Sequence, residues 1–430
     1  MKFYSIKDKR HQVSFAEAMI NGLAPENSLY FPNKIPVFSK HFFSNIQQMT
    51  LPELAFQVLK PYVEENISSA ELVEITEQVF DFKIPLVPVQ DSVYALELFH
   101  GPTLAFKDVG ARFLARCMQH LNKNLTARVL VATSGDTGSA VANGFLGIEG
   151  TQVVVLYPKG KVSPLQQKQF ATLGQNIKPI AVNGTFDDCQ RLVKTAFSDS
   201  DINKKMNLTS ANSINVARWI PQSVYYYWAV AQVAEKQKKI VVSVPSGNLG
   251  NLTSGILAKK TGLPIDTFIA ASNKNDTIPR YLKSGIYKPM QTVQTIANAM
   301  DVGDPNNFSR LIELYHSDYN KIKQEVLSFS YPDDDIKKWI KNCYQNNQYL
   351  LDPHGATGFA SLIESKLSPD QVGIFLETAH PAKFRETVEA VIEQKIILPE
   401  RLAAFDKRTI QTDELDASYD GFKAYLMQLS

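Results

Sequence analysis

At 430 residues the chain exceeds one ordinary hydrophobic core, so two or three packed units are expected. It is 44% hydrophobic and 20% charged, which excludes a disordered chain, and 45 Lys+Arg against 43 Asp+Glu leave no general electrostatic pull toward nucleic acid or an anionic membrane. Twenty-one Gly and 22 Pro exclude collagen-like and Pro-rich low-complexity structure.

In chain order, Met1–Ile20 is broken by charges throughout and has no apolar signal-peptide core. Residues 1–90 are mixed, with a helix expected over Pro52–Val63. From about residue 90 the pattern becomes regular. Ala127–Thr133 reads as a strand, followed by a polar glycine loop and a helix from Ser139. Gln152–Tyr157 is a strand. Ser163-Pro164 supplies an N-cap and a first-position proline for a helix to about Thr172. Ile177–Val182 is a strand, and Phe186–Ser198 a helix with Phe186, Cys189, Leu192, Val193 and Ala196 on one face. Strand, helix and strand recur at Ile240–Val244, Leu252–Lys260 and Thr267–Ser272. The stretch 305–350 reads as polar helix, with Asp333–Asp335 at a solvated helix start. Val372–Leu376 and Pro381–Ile392 repeat the strand–helix step. Such alternation means mostly parallel sheets covered on both faces, and the series at about 127–200 and 240–272 suggest two α/β domains.

The longest apolar runs are of strand length, far short of the roughly 20 residues that span a bilayer. Cys117, Cys189 and Cys343 are far apart and form no CxxC, and the seven histidines form no HExxH. No metal centre is expected, and reduced thiols in a cytoplasmic, membrane-free protein are the simplest reading.

Three loops at strand ends, where ligands of open parallel sheets bind, carry unusual chemistry. Ser246–Asn251 (SGNLGN) follows one strand and opens a helix. Its two glycines allow close backbone approach, and its amides with the helix N-terminus suit a phosphate; the plain alternative is an ordinary strand-to-helix turn. No third glycine completes GxGxxG, and no GxxxxGK[ST] occurs, so dinucleotide and P-loop sites are disfavoured. Thr133–Ser139 (TSGDTGS) offers hydroxyls, amides and a helix start that suit a carboxylate or phosphate, or merely cap a helix. In His100–Asp108 (HGPTLAFKD), Lys107 lies among apolar and small residues. It is either a surface side chain with a buried stem or a desolvated amine able to form a Schiff base.

Seven strings carry a resemblance: FHGPTLAFKDVGARF (99–113), ATSGDTGSAV (132–141), NSINVARWIPQ (212–222), VPSGNLGN (244–251), SNKND (272–276), NAMDVGDPNNF (298–308) and ETAHPAKF (377–384). In this order, and over the whole length, they resemble the threonine synthases, in particular the longer bacterial and fungal branch. The resemblance implies the tryptophan-synthase-β-like fold: two doubly wound α/β domains plus an N-terminal region, with pyridoxal 5'-phosphate between them. The implied division is an N-terminal region at 1–90, a smaller substrate-side domain carrying the lysine at 91–238, a larger cofactor-binding domain at 239–400 and a C-terminal tail at 401–430.

The implied reaction converts O-phospho-L-homoserine and water into L-threonine and phosphate, the last step of threonine biosynthesis, by a carbon–oxygen lyase acting on a phosphate. By resemblance Lys107 carries the Schiff base and serves as base at Cα and proton shuttle at Cβ. Gly247, Asn248, Leu249, Gly250 and Asn251 cradle the cofactor phosphate. Thr378 bonds the pyridine nitrogen; its rival role is an N-cap before Pro381. Ser134, Asp136 and Thr137 face the substrate carboxylate or the cofactor's phenolic oxygen, although an ionised Asp136 would repel a phenolate. Ser213, Asn215 and Arg218 lie near the substrate phosphate, for which a guanidinium is well shaped; a surface ion pair is the plain alternative for Arg218. His100, His354 and His380 are read as structural, and Tyr225–Trp228 as core. Two other classes remain open: a phospholyase or dehydratase of the same fold giving a keto acid, and a non-catalytic cofactor-binding paralogue. The expected partner is the small-molecule substrate, with a monomer or small homo-oligomer.

Overall fold

Runs of β-branched and aliphatic residues build two mostly parallel sheets, and the way strands are shared between them sets the position of everything else. The computed structural model describes residues 1–121, 127–233 and 238–429. A six-stranded sheet runs in the order Val326–Ser330, Thr267–Ser272, Lys239–Pro245, Gln371–Glu377, Val93–Glu97, Leu86–Gln90. All neighbours are parallel except the last pair, a hairpin. A five-stranded parallel sheet runs Asp413–Asp416, Ile177–Asn183, Thr151–Pro158, Ala127–Ala132, Asn207–Ser210. A small antiparallel sheet of Gln12–Val13, Phe3–Ser5 and Tyr30–Pro32 belongs to the N-terminal region.

Both large sheets are buried on two sides, as the continuous apolar runs require. Val242, Val244 and Ile374 enter one core, while their neighbours Val241 and Phe375 enter another. In the five-stranded sheet Val129, Val131, Val153 and Val155 join that first core, and Leu130, Val154 and Leu156 a third. The first core therefore lies between the sheets and fuses them. Helices begin where the sequence supplies oxygen caps: Thr50 with Glu53 starts Leu51–Val63, Ser163 starts Pro164–Ala171, and Thr185 with Asp188 starts Phe186–Ser198. The aromatic run at Tyr225–Trp228 lies on the helix Val224–Gln232, with its three tyrosines buried. Cys117, Cys189 and Cys343 are buried and unpaired.

Two sequence expectations need correction. The polar stretch 305–350 contains the strand Val326–Ser330 between the helices Phe308–Leu314, Tyr319–Glu325 and Asp333–Asn347. This strand is a partly exposed sheet edge, so its apolar signal is thin and only its pairing with Thr267–Ser272 reveals it. The helix expected at Pro381–Ile392 begins as a tight turn at Pro381–Phe384 and becomes α-helical at Arg385–Ile392. The borders at 91 and 401 do not divide the sheets. Val93–Glu97 pairs inside the six-stranded sheet, and Asp413–Asp416 completes the edge of the five-stranded one. Pairing register, not chain order, decides membership.

Candidate active site

Lys107 owes its place to a two-segment splice. Ala105 and Ala379 form an isolated antiparallel bridge, the Phe106 amide donates to the Thr378 carbonyl at 2.9 Å, and the His380 amide donates to the Leu104 carbonyl at 3.0 Å. Lys107 then starts the helix Lys107–Leu121, beside Thr378 at the C-terminal end of Gln371–Glu377. Both line a cleft of about 950 Å³ of empty space between the two large sheets. Among the described residues the Lys107 amine has no hydrogen-bond or ion-pair partner, and it stands 5.6 Å from the centroid of the Phe106 ring. Burial pushes its pKa down to about 8, opposed by Asp136 and assisted by Lys383 and Arg218. With that pKa roughly a tenth of the amine is uncharged at pH 7, far more than for an ordinary lysine, and the uncharged form is a nucleophile and a base.

Facing it is the loop 247–251, every residue of which lines the cleft. A Cβ on residue 247 would stand 2.7 Å from the Met300 Cα, so only glycine lets the two backbones approach. Leu249 takes a left-handed φ of 59° and turns the chain into the helix Gly250–Lys260, which has no side-chain cap. Its first-turn amides lack helical partners and carry the positive end of the dipole. Tyr226 donates its hydroxyl to both oxygens of Asn251, at 2.9 and 2.8 Å, leaving the buried Asn251 Nδ2 with no partner. Asn248 is tied in instead: it donates to Ser213 Oγ at 3.0 Å and accepts the Asn306 amide at 2.6 Å.

Ser134, Asp136 and Thr137 also reach the cleft. The Thr133 hydroxyl accepts the Gly135 and Gly138 amides at 2.9 and 2.8 Å, so part of this loop's donor capacity is spent on itself. Asp136 is matched by a cation absent from the sequence reading: its Oδ1 pairs with Lys383 Nζ at 2.6 Å and accepts from Gln166 Nε2 at 2.8 Å. Burial by itself would raise this carboxyl's pKa, but Lys383 and Lys107 outweigh it and hold it well below the usual carboxylate range. It is therefore an ionised, neutralised carboxylate rather than an unpaired charge aimed at a bound anion.

Ser213 and Arg218 line the cleft; Asn215 does not. Asn215 is fully buried and caps the short helix Val216–Trp219, its Oδ1 accepting from the Ala217 amide at 2.9 Å. Its Nδ2 donates to the Met19 and Ser210 carbonyls at 2.8 and 2.9 Å. All its polar capacity is consumed in holding the N-terminal region against the loop, so the expectation that it contacts substrate is not met. Arg218 is buried and has no ion pair among the described residues, which removes the surface-pair alternative. It donates through Nη1 to the Ala211 carbonyl, while Nε is buried without a partner. Burial lowers its pKa to about 10, which leaves it fully charged. The N-cap role considered for Thr378 belongs to His380, whose Nδ1 accepts the Ala382 amide at 3.1 Å.

The cleft includes side chains that sequence reasoning left out. Phe186, Gln190, Asn212, Gln222 and His354 all line it. Gln222 donates to the Arg218 carbonyl at 2.6 Å and has a buried, unpartnered Oε1. His354 accepts the Ala299 amide at Nε2, 3.1 Å, and bonds Asp352 through Nδ1. Behind it Glu377 Oε1 accepts the Asp352 amide at 2.7 Å. Gln222, Asn212 and Lys383 lie within the strings that carry the family resemblance, which was the available signal; Phe186 and Gln190 gave none beyond helical spacing.

Known proteins decide the family. Residues 82–377 match the family described as pyridoxal-phosphate dependent enzyme, residues 2–80 the threonine synthase N terminus, and residues 355–426 the threonine synthase C-terminal family. The chain is 44% identical over 432 residues to a threonine synthase of Haemophilus influenzae, covering 100% of both proteins. The chain belongs to the threonine synthase family of pyridoxal-phosphate-dependent enzymes. Its backbone matches the crystal structure of threonine synthase from Escherichia coli with a TM-score of 0.96 at 42% identity, covering 100% of both chains. A pyridoxal-phosphate-bound threonine synthase from Brucella melitensis matches with a TM-score of 0.93 at 33% identity, covering 100% of this chain and 99% of that one. The residues present fit such a cofactor: a free amine for its aldehyde, and a cradle that a Cβ would fill, with an orphaned amide donor, for its phosphate. No helix among the described residues is long and apolar enough to cross a membrane.

Proposed function

We propose that this chain is a threonine synthase acting on O-phospho-L-homoserine, with Lys107 as its reactive amine, in the cytoplasm as a monomer or small homo-oligomer. The observation that carries the reading is one cleft lined together by the partnerless amine of Lys107, the buried guanidinium-bearing Arg218 with no ion pair among the described residues, and the loop 247–251. Pyridoxal phosphate supplies the electron sink that makes protons on the substrate's carbon chain acidic. In this reading the loop 247–251 binds the cofactor phosphate through amides that no side chain caps, and Asn251 Nδ2 adds a donor. Thr378 presents a neutral hydroxyl for the ring nitrogen, which does not force that nitrogen to be protonated. Ser134 and Thr137 hold the substrate carboxylate. Asp136 orients the site through Lys383 and Gln166 rather than by direct contact.

Lys107 takes the proton from Cα and carries it at Cβ, a task suited to an amine with a pKa of about 8. Ser213 and Arg218 hold the phosphate as it leaves Cγ, Arg218 with charge-assisted bonds. Loss of phosphate takes one proton each from Cα and Cβ; protons return to Cγ, which becomes the methyl, and to Cα, while water gives its hydroxyl to Cβ and its proton to the released phosphate, so that threonine and phosphate result. The test is product analysis with O-phospho-L-homoserine and the purified protein loaded with pyridoxal phosphate. Threonine and phosphate in equal amounts support the reading. α-Ketobutyrate without threonine would replace it with a phospholyase, and no turnover with a colourless protein would leave a non-catalytic paralogue.

A further inference from the structure

Lys383 is a fully buried cation that none of the steps above employs. It projects from the turn Pro381–Phe384, after the last strand to enter the six-stranded sheet, and reaches the helix start at Asp136 that follows Ala127–Ala132 of the other large sheet. There its ammonium meets Asp136 Oδ1 at 2.6 Å and the Thr103 carbonyl at 2.8 Å. Both partners are themselves held in place. Gln166 Nε2 donates to the same Asp136 oxygen at 2.8 Å, and Gln169 Nε2 donates to the same Thr103 carbonyl at 3.0 Å. Thr103 in turn binds Asp108 with both its amide and its hydroxyl. One ammonium thus ties together the loop before Lys107, the loop 133–139 and the end of Gln371–Glu377.

Two amines share the reach of one carboxylate here, and the geometry gives it to Lys383. Lys107 forms no ion pair among the described residues, while Lys383 sits at contact distance. We propose that Lys383 is a positioning residue: its ammonium occupies and neutralises the Asp136 carboxylate, holding that carboxylate off the Lys107 amine so that the amine stays free to react. Without it, an ionised buried carboxylate would face the amine alone, and an amine–carboxylate pair would lock Lys107 in its charged, unreactive form. The charged and titratable groups around this pair are Lys107 and Asp108 with Arg112 on the helix Lys107–Leu121, Arg218, His354, and His380 on Lys383's own turn.

The inference rests on Lys107 being the reactive amine, and its test does not need turnover. The cofactor-free full-length chain is trace-labelled with acetic anhydride from about pH 6 to about pH 11, bracketing ordinary lysine titration, and the Lys107 peptide is quantified by mass spectrometry. The wild-type midpoint is expected near 8. Lys383→Met should move it upward by about one pH unit or more, because the opposite charge is now unshared. Lys383→Arg should keep the wild-type midpoint. Asp136→Asn should lower the midpoint, and the double variant Lys383→Met/Asp136→Asn should lie above Asp136→Asn and below Lys383→Met. A wild-type midpoint in Lys383→Met overturns the proposal. Should that variant fail to fold, Lys383→Gln, which is neutral and can still hydrogen-bond, leaves the Asp136 charge equally unshared, and a wild-type midpoint there overturns the proposal. A failure here leaves the assignment of threonine synthesis to be judged by product analysis alone.

Discussion

The Phe106 amide donates to the Thr378 carbonyl at 2.9 Å, and this one bond sets Lys107 and Thr378 side by side although 271 positions separate them. The strand end that offers Thr378 also fixes where the helix of Lys107 begins, so the amine and the hydroxyl are positioned by backbone, not by the packing of their own side chains.

Removing that amine should separate binding from chemistry. Lys107→Ala is expected to lower kcat by about 10²–10⁴-fold while still holding pyridoxal phosphate weakly through the loop 247–251. Equilibrium dialysis and the visible spectrum check both halves. In the wild type, capture of the cofactor should accelerate as pH rises through about 8 and level off above it, because only the uncharged amine adds to an aldehyde.

Gly247→Ala places a methyl 2.7 Å from the Met300 Cα, and backbone cannot yield as a side chain does. Relieving that clash should cost about 1–3 kcal/mol, seen as a lower melting temperature of the cofactor-free protein, and the shifted loop should also raise the cofactor Kd.

For Arg218, truncation to Ala should reduce kcat/KM for the phosphorylated substrate by about 10²–10³-fold, with KM rising and kcat falling together. Arg218→Lys should recover little, since an ammonium lacks the guanidinium fork and would forfeit the bond to the Ala211 carbonyl. Steady-state kinetics over a range of substrate concentration decide this.

Asn215 offers the contrast. Asn215→Ala takes one donor from each of the buried Met19 and Ser210 carbonyls, leaving Met19 only the Thr209 hydroxyl, and removes a helix cap. Thermal melting should show a loss of about 2–4 kcal/mol, with KM unchanged at temperatures where the variant is folded.

Glu377 carries a pH signature. Burial, with Asp352 close by, raises its carboxyl pKa well above the ordinary value. The folded state therefore holds a proton that the unfolded state releases above about pH 4, and stability falls with rising pH by up to about 1.4 kcal/mol per unit until the folded group itself ionises. Glu377→Gln keeps the shape without the proton, so it should flatten this slope and melt higher at neutral pH. Melting curves from mildly acidic to neutral pH test it.

What the sequence disclosed was what is written contiguously. Strands such as Thr267–Ser272 and helices such as Phe186–Ser198 are complete local patterns, and SGNLGN and HGPTLAFKD announce their chemistry within a few residues. Asn215 sits in the right string, yet which way a side chain turns depends on Met19, nearly two hundred residues earlier. Lys383 was hidden for the same reason: its partner Asp136 lies in the other sheet's domain. Sheet membership was not legible either, because strand pairing ignores chain order, as Val93–Glu97 shows.

That sharing of strands also governs the order of assembly. Gln371–Glu377 lies between Lys239–Pro245 and Val93–Glu97, so the hairpin of Leu86–Gln90 and Val93–Glu97 stays unpaired on one side until the ribosome has passed Glu377. A nascent chain carries this bare apolar edge through most of its synthesis, which marks the hairpin as the segment a chaperone would have to shield.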